Sequence, residues 1–518
     1  MKSCKKALSL LLAIVMLAAV LGGCQDGKSS GNNPPPNEEA SPGASRFGGE
    51  IVVGIAQDLD DSLDPHRMTA AGTREVLFNV FEGLVKPDTD GNLIPAVAES
   101  YAISDTGDEF TFALRKDLKF HDGSSVTVGD VVYSISRAAG LDTGQPLVAA
   151  LGIVSEVEAL GSDKIVVRTS MPNIEFIAFI STASIIPEGS DPADGLIGTG
   201  PFQYVSRIAQ ENFVIEKFDG YWGEKAYLDK VTFRIIDNAD ALVMALKSGA
   251  IDFCAHMTEI QTSGLGDGFT ILEGTMNLVQ ALYLNNDVAP FDDIRVRQAI
   301  SYVIDPQEIM DFIADGRGSA LGSSMYPAFS KYFLSDLTDY YAYDPDKAQQ
   351  LLDAAGYGDG FSLTITVPGN YQPHVDTAVV IVDQLGRVGI KATIKTIEWE
   401  SWIVDVYGAH EYEATVCGFD ASTLTASALL SRFVSTNSKN ISAFADPEYD
   451  QVYAEAAACT DEARQIDLYK RLQTILTEQA ANAYIQDLCD LVAMRNGLDG
   501  YAFYPLYVLD LAKVYYTE

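Results

Sequence analysis

A strand–helix–strand pattern in the second half of the chain sets the fold class. Phe361–Val367 alternates apolar and polar side chains as a half-buried strand does, and Ile390–Ile397 is a second strand-like run. Between them, Ala378, Ile381 and Leu385 recur at the spacing of one helix face. Two strands joined by a helix of this length run parallel, with a right-handed crossover. The chain is therefore predicted to be an α/β protein.

The N-terminal residues have the pattern of a secretory signal. Lys2, Lys5 and Lys6 precede an apolar run from Ala7 to Val20. That run is shorter than the roughly 20 residues that a helix needs to cross a bilayer core of ~30 Å. It predicts an export signal and not a transmembrane helix.

The next four residues, Leu21-Gly22-Gly23-Cys24, resemble the lipobox of bacterial lipoproteins. That resemblance implies that residues 1–23 are removed as a signal peptide and that Cys24 carries the lipid, including palmitate. Residues 24–47 are then a flexible tether, because Gln25–Ser45 has no aromatic or β-branched residue and is rich in Pro, Gly, Ser and Asn. The predicted location is outside the cytoplasm, lipid-anchored to the bacterial cell membrane. Secretion without an anchor is the alternative.

Composition restricts the partners of this chain. It has 518 residues, 47% of them hydrophobic, and a formal net charge of −37. The length allows two or three domains with their own cores. Because the chain is so acidic, it has little positive charge with which to bind nucleic acid or anionic lipid. Cys254, Cys417, Cys459 and Cys489 form no Cys-x-x-Cys pair, so no zinc site is predicted and the disulfide state stays open.

No motif in the sequence predicts an enzyme. The nucleophile elbow Gly-x-Ser-x-Gly, His-Glu-x-x-His, the Walker loop and Gly-x-Gly-x-x-Gly are all missing. The five histidines include no pair at i, i+4 spacing. We therefore predict no catalytic residue, no cofactor and no metal ligand. A glycosidase-like pair of carboxylates stays open in so acidic a chain.

Short sequence blocks, in a fixed order, cover almost the whole mature chain. They are Leu63–His66, Val80–Leu84, Ala98–Ser100, Phe112–Gly123, Asp130–Ser134, Gly198–Pro201, Tyr221–Gly223, Leu228–Val231, Leu246–Asp252, Leu284–Asn286, Pro290–Asp293, Val296–Ala299, Ala354–Tyr357 and Pro447–Asp450. Together they resemble the family 5 extracellular solute-binding proteins of ABC importers, the dipeptide- and oligopeptide-binding lipoproteins. Each block alone is a weak signal, whereas the ordered series is a specific one.

The resemblance implies a two-lobed fold like that of periplasmic binding proteins, with mixed sheets, a ligand cleft between the lobes and an extra inserted domain (type II, cluster C-like). Lobe I would comprise residues 48–72, 188–283 and 486–518, the inserted domain residues 73–187, and lobe II residues 284–485. Hinge bending would close the lobes on the ligand. Near the end of the chain, Tyr484–Met494 is predicted to form one strand that lines the cleft.

A peptide in such a cleft is held through main-chain hydrogen bonds, and a buried carboxylate usually holds its α-ammonium group. In peptide binders, the strand that resembles Ala414–Phe419 leads into a Trp and then an Asp. Here Gly418, Phe419 and Asp420 follow one another, with Phe419 at the Trp position and Ser422 near the Asp position. Asp420 is the candidate replacement for that Asp, displaced by ~6.6 Å along an extended chain. The candidate ligand contacts in this segment are Gly418, Phe419, Asp420 and Ser422.

Further polar candidates lie at strand ends. Gln486 and Asp487 interrupt a strand that would line the cleft, and an exposed edge position is the alternative for Asp487. Asp58 ends the first strand and could face the cleft, with a turn-capping role as the alternative. The ammonium clamp is thus left open between Asp420 and Asp487.

Three more candidates lie on lobe II and at its border. Trp399 and Trp402 directly follow the strand–helix–strand unit, at the strand end where clefts form, with packing as their alternative role. Asn285 lies at the predicted crossover between the lobes, where a turn residue is the alternative.

The predicted function is that of a monomeric substrate-capture lipoprotein of an ABC importer, which delivers short peptides to a permease served by separate ATPase subunits. The same scaffold would also suit an oligosaccharide, an opine or a metal chelate. A surface hydrolase and a receptor or adhesion lipoprotein are the alternatives from other classes.

Overall fold

The computed structural model describes residues 46–517, apart from residues 61, 69, 191, 193, 194 and 422. The predicted signal peptide, Cys24, nearly all of the predicted tether, and Ser422 lie outside the described residues.

The strands are β1 Glu50–Ile55, β2 Val85–Pro87, β3 Leu93–Pro95, β4 Ala98–Ile103, β5 Glu109–Leu114, β6 Val154–Ala159, β7 Lys164–Thr169, β8 Phe202–Ile208, β9 Asn212–Lys217, β10 Lys230–Ile235, β11 Phe253–Met257, β12 Phe269–Thr275, β13 Leu278–Leu284, β14 Ser319–Ala320, β15 Ser362–Pro368, β16 Lys391–Ile397, β17 Ala414–Asp420, β18 Ala483–Asp487, β19 Cys489–Arg495, β20 Leu498–Asp499 and β21 Tyr515–Tyr516. The α-helices are α1 Ala71–Leu77, α2 Val128–Ala139, α3 Phe176–Ile180, α4 Ala239–Ser248, α5 Glu259–Ser263, α6 Ile294–Val303, α7 Pro306–Ala314, α8 Pro345–Ala355, α9 Gln372–Gly386, α10 Trp399–Ser401, α11 Ala426–Leu430, α12 Pro447–Ala457 and α13 Glu462–Glu478. A π-helical segment, Trp402–Gly408, continues α10.

The first large sheet has seven strands in the order β12-β19-β11-β1-β10-β9-β8. β1 runs parallel to β10 and β11, whereas the other pairs are antiparallel. Its buried side chains, among them Val53, Phe213 and Phe233, form one apolar core with α1 residues Val76 and Leu77. We call this body lobe I.

The second large sheet has six strands in the order β14-β18-β13-β17-β15-β16. β15 and β16 run parallel and are joined by α9, which confirms the predicted strand–helix–strand unit. Every residue of the central strand β13 is buried, because apolar cores cover both faces of this sheet. We call this body lobe II.

A smaller antiparallel sheet, β4-β5-β7-β6, belongs to the region of the predicted inserted domain. Helix α2 covers it, and Val131, Ile135 and Ala138 on one face of that helix pack into the same core as Phe110 and Phe112 of β5. The spacing of the three α2 residues is that of an amphipathic helix on a sheet.

The chain crosses between the two large sheets at two adjacent places. Met276 and Asn277 join β12 to β13, a few residues before the predicted boundary at residue 283, and Leu488 joins β18 to β19. The predicted single strand Tyr484–Met494 is therefore wrong: its two halves lie in different sheets. Both halves are buried and mostly apolar, and the polar residues Gln486, Asp487 and Asp490 lie on both sides of Leu488, so composition does not locate the break. The backbone N–H of Met276 donates to the Leu488 carbonyl (2.9 Å), which holds the two crossings together.

The four cysteines of the described region are free thiols. Cys254, Cys417 and Cys489 are buried and Cys459 is partly exposed. This resolves the disulfide state that the sequence leaves open. Among the described residues, no helix is both long and apolar enough to cross a membrane.

Candidate functional site

A cavity of about 1120 Å³ lies between the two lobes and the inserted domain. Its walls come from α1 and residues 201–227, from residues 147–184 of the inserted domain, and from the ends of β15 and β17 in lobe II. The C-terminal region, residues 504–513, closes one side. A space of this size accommodates a small organic molecule or a short peptide.

All three tryptophans of the chain line this cavity: Trp222, Trp399 and Trp402. The rings of Trp399 and Trp402 are stacked, with centroids 5.3 Å apart and planes 9° apart, and Tyr371 packs edge-on against Trp399. The buried Trp402 donates its Nε1–H to the Thr415 hydroxyl (3.0 Å), which fixes the ring. Aromatic faces held in this way suit a ligand with flat or apolar groups.

Asp420 ends β17 and lies on the cavity wall beside Gly418 and Phe419. Arg74 of α1 donates from Nη2 to its Oδ2 (2.7 Å), so this ion pair joins lobe I to lobe II across the cavity. Burial would raise the pKa of Asp420, but Arg74 and Arg432 outweigh it and hold the pKa below its usual range. The carboxylate is therefore charged and already has a cationic partner.

Two further cations face the same part of the cavity. The Arg432 guanidinium lies over the Phe419 ring, 4.4 Å from its centroid, and donates to the Tyr407 hydroxyl (3.0 Å). Lys439 also lines the cavity. Partial desolvation, and the nearby Arg432 and Arg74, lower the pKa of Lys439 more than Asp420 raises it. Positive charge thus exceeds negative charge around Asp420.

The inserted domain contributes a buried carboxylate to the cavity wall. Tyr469 of lobe II donates its hydroxyl to Glu175 Oε2 (2.5 Å), while Glu175 Oε1 has no hydrogen-bond partner among the described residues. Burial raises the pKa of Glu175, and the hydrogen bonds from Tyr469 and Ser427 only partly offset this. Burial therefore disfavours the charged form of Glu175.

Gln486 lies beneath the cavity wall and does not line it. Its side-chain amide donates to Gln280 (2.9 Å), whose own amide contacts His374 Nδ1 (2.8 Å). His374 does line the cavity, and burial lowers its pKa to about 4. Gln486 is therefore placed to support a neutral His374 from below.

Asp58 and Asn285 also lie away from the cavity. Asp58 pairs with Arg207 (3.1 Å) and accepts backbone N–H bonds, as a turn-capping residue does. Asn285 is buried and donates to the carbonyls of His410 and Tyr412 (3.1 Å each). Both side chains hold loops in place.

Asp487 lies at the crossings between the lobes. It is buried, its Oδ1 accepts the N–H of Leu278 (3.1 Å), and its Oδ2 has no hydrogen-bond partner within the described part of the chain. Burial raises its pKa to about 8, against the effect of the Leu278 and Asn277 N–H groups. This residue is placed to control the connection between the lobes more than to contact a ligand.

A charged cluster near the same crossings ties α1 to the first large sheet. His256 Nε2 contacts Glu75 Oε1 (2.7 Å) and its Nδ1 contacts Asp490 Oδ1 (3.1 Å). The imidazole also stacks on Tyr507, with centroids 4.5 Å apart. Burial would lower the pKa of His256, but Asp490 and Glu75 together raise it well above its usual value. An imidazolium here forms ion pairs with two buried carboxylates.

The described residues contain no group of three or more His, Cys, Asp or Glu side chains that could hold a metal ion. The cavity instead offers aromatic faces, hydroxyls, the buried carboxyl groups of Glu82, Glu175 and Asp420, and a group of cations beside Asp420. Such a lining can bind and orient an organic solute through stacking, hydrogen bonds and ion pairs.

Of the sequence-predicted contacts, the structure brings together Trp399, Trp402, Gly418, Phe419 and Asp420. Sequence reasoning missed the three cations Arg74, Arg432 and Lys439. They are far apart in sequence and follow no motif, so only the fold places them together. The one available signal was that basic residues are scarce in this chain, 35 against 72 acidic ones, so each one in a cleft is informative.

Comparisons with known proteins identify similar sequences and structures. A family model described as "Bacterial extracellular solute-binding proteins, family 5 Middle" matches residues 92–440. The oligopeptide-binding protein AppA of Bacillus subtilis (strain 168) is 26% identical over 539 aligned residues, which cover 98% of this chain and 97% of AppA.

Two solved structures share the fold over nine-tenths of the chain. The ABC transporter-associated periplasmic binding protein DppA from Helicobacter pylori, in complex with the peptide STSA, has a TM-score of 0.82 and 25% identity, and covers 92% of this chain and 99% of its own. The binding protein AgaA from A. tumefaciens R10, in complex with agropinic acid, has a TM-score of 0.78 and 25% identity, and covers 90% and 96%.

These likenesses confirm the predicted α/β, two-lobed fold with mixed sheets. The match of the family model extends over more than half of the chain and includes strands of both large sheets and of the smaller antiparallel sheet. This protein belongs to the family 5 bacterial extracellular solute-binding proteins.

Proposed function

We propose that this chain is the substrate-binding lipoprotein of an ABC importer and that it captures short peptides by closing its two lobes. The observation that carries the proposal is the cavity of about 1120 Å³ between lobes that are joined by two adjacent crossings. Two adjacent crossings act as a hinge, because few backbone angles need to change for the lobes to move apart. The peptide ligands of AppA and DppA, relatives over nearly the whole chain, support a peptide as the solute.

The proposed domain organisation follows the sheets. The borders expected from the sequence are residues 48–72, 188–283 and 486–518 for lobe I, 73–187 for the inserted domain and 284–485 for lobe II, and we propose three changes to them. Helix α1 joins lobe I, because Val76 and Leu77 pack in its core. The borders with lobe II move to Met276–Asn277 and to Leu488, because β13 and β18 belong to the lobe II sheet. Catalysis is no part of the proposal: captured solute passes intact to a membrane permease, and separate subunits hydrolyse ATP. The chain acts as a monomer, because one cavity is formed within one chain.

The proposed lipid anchor has a direct test. Changing Cys24→Ser is expected to move the protein from the membrane fraction to the soluble fraction, because Cys24 would be the residue that carries the lipid. Fractionation with immunodetection, alongside Cys459→Ser as the matched control, measures this. Unchanged membrane association of the Cys24 variant would refute the anchor.

Peptide capture is measured through the tryptophans, since all three line the cavity. Titration of ligand-stripped protein with di-, tri- and tetrapeptides is expected to give a saturable change in tryptophan fluorescence and a higher unfolding temperature. Bound ligand stabilises by about 2.7 kcal/mol at a hundred times its Kd. The absence of any response to peptides, or the steady release of cleaved product, would contradict the proposal.

An opine-like solute is the second candidate, because AgaA shares this fold while holding agropinic acid. The same titration with an opine separates the two. A response to the opine alone would replace the peptide as the solute and leave the transport role in place.

A further inference from the structure

The charge around Asp420 is the reverse of what a ligand ammonium group needs. Arg74, which enters from lobe I, already donates to this carboxylate (2.7 Å). An incoming ammonium group would have to displace this guanidinium from Asp420. Because the guanidinium is part of the protein, its contact with Asp420 costs no translational or rotational entropy of binding, whereas the contact of a ligand does. The ion pair therefore fills the position that a positively charged ligand group would otherwise take.

Two more cations stand beside this ion pair without a carboxylate of their own. Neither Arg432 nor Lys439 forms a salt bridge with any acidic side chain that the structure describes. Arg432 Nε is buried and has no hydrogen-bond partner in that part of the chain. A buried charged donor that stays unpaired costs free energy, and an anionic partner removes that cost.

The position of Arg432 is fixed and faces the cavity. Its guanidinium is held over the Phe419 ring at 4.4 Å and by its hydrogen bond to the Tyr407 hydroxyl at 3.0 Å. A planar guanidinium held by stacking keeps its remaining Nη N–H groups, as distinct from the buried Nε–H, available for the two oxygens of a carboxylate. Cavity-lining hydroxyls of Ser427 and Ser431 add neutral donors nearby.

We propose that Arg432 and Lys439, beside the Arg74–Asp420 ion pair, form a subsite for an anionic group of the ligand. The proposal rests on the proposed function and specifies its solute: a carboxylate-bearing molecule whose anion lies against Arg432. Arg74 compensates the charge of Asp420 and joins the two lobes, while Arg432 and Lys439 bind the negative charge of the ligand. The excess of cations here contrasts with a chain whose formal net charge is −37.

The test compares matched ligands on the intact mature protein. The first pair of probes is tetra-alanine and its C-terminal amide, which differ only in the terminal carboxylate. The other pairs carry the terminal amide and have one Glu, or one Gln as the matched neutral control, at each position in turn. Binding is followed by tryptophan fluorescence on wild type, Arg432→Gln, Arg432→Lys, Lys439→Gln and Lys395→Gln. Lys395 is an exposed lysine of β16 outside the cavity lining and controls for the loss of one positive charge.

At least one carboxylate ligand is expected to bind wild type about ten- to a hundred-fold more tightly than its neutral match, the usual value of a hydrogen bond to a charged group. Arg432→Gln is expected to abolish this preference, Lys439→Gln to weaken it, and Lys395→Gln to leave it unchanged. Arg432→Lys keeps the charge and is expected to retain part of it. Unfolding temperatures of all variants show that each is folded.

The outcomes separate this subsite from the proposed function. If peptides bind and every matched pair binds equally, the anionic subsite is wrong and peptide capture stands. If no peptide binds, peptide capture fails, and an iminodicarboxylate opine replaces the probes: binding that Arg432→Gln removes supports the subsite. A failure of both kinds of probe to bind overturns the subsite as well.

Discussion

Replacing His256 with alanine is expected to destabilise the folded protein by about 3–5 kcal/mol, the usual cost of removing one partner from a buried ion pair. The change leaves Glu75 and Asp490, both buried, without the imidazolium that separates them. It also removes the ring that stacks on Tyr507. Urea unfolding at neutral pH measures the loss.

The matched control for this prediction is His410→Ala. Both histidines have a φ of 57°, so both changes place alanine in the same left-handed backbone conformation. Only His256 lies between two carboxylates. A loss no larger than that of the control would show that the cluster does not stabilise the fold.

The pH dependence of the His256 cluster has a definite sign. Its carboxylate neighbours raise the pKa of His256 well above 6.5, so the folded protein holds the proton more tightly than the unfolded chain. Its contribution to stability is therefore complete below the unfolded pKa of about 6.5 and is lost as the pH rises through the folded pKa.

Replacing Asp487 with asparagine is expected to make the protein more stable than wild type at alkaline pH. The pKa of Asp487 is raised to about 8 by burial, whereas the unfolded pKa is near 3.8. The folded state therefore binds more protons between these values, and wild-type stability falls as the pH rises from about 4 to about 8. The slope from this one group reaches about 1.4 kcal/mol per pH unit, or roughly 6 kcal/mol in total.

Asparagine has no proton to lose in this range and keeps an acceptor for the N–H of Leu278. The unfolding free energies of variant and wild type are measured at pH 5 and at pH 8.5, and the difference between the two proteins is taken at each pH. This difference cancels the contributions of groups that titrate in both proteins. The difference is expected to shift toward the variant by several kcal/mol at the higher pH. A difference that stays constant with pH would place the Asp487 pKa near its ordinary value.

The fold was predictable where local pattern and tertiary structure agree. Alternation and helical spacing locate β15, α9 and β16 within one residue at the strand starts. The ordered blocks indicate the family, which the family model confirms. Periodicity fails at Leu488, because Gln486, Asp487 and Asp490 flank it on both sides within an otherwise apolar run and do not show where the chain passes from one buried sheet to another.

The candidate site was predictable only where residues that are close in sequence line the same wall of the cavity. Gly418, Phe419 and Asp420 follow one strand into the cavity, and Trp399 and Trp402 follow another. Gln486 and Asp487 were placed on the same cleft because they interrupt an apolar run, yet they lie beneath it and at the crossings. The partners of Asp420 come from residues 346 positions away and from a loop after β17, and no local pattern encodes such contacts.

Native mass spectrometry of the mature protein, purified without added ligand and then mixed with short peptides, shows whether the cavity captures a solute without changing it. We expect a one-to-one complex from which the intact, unmodified solute is released on unfolding, with a carboxylate among its groups. Recovery of cleaved peptides, or of the ligand-free mass at saturating concentrations of every solute offered, would contradict it.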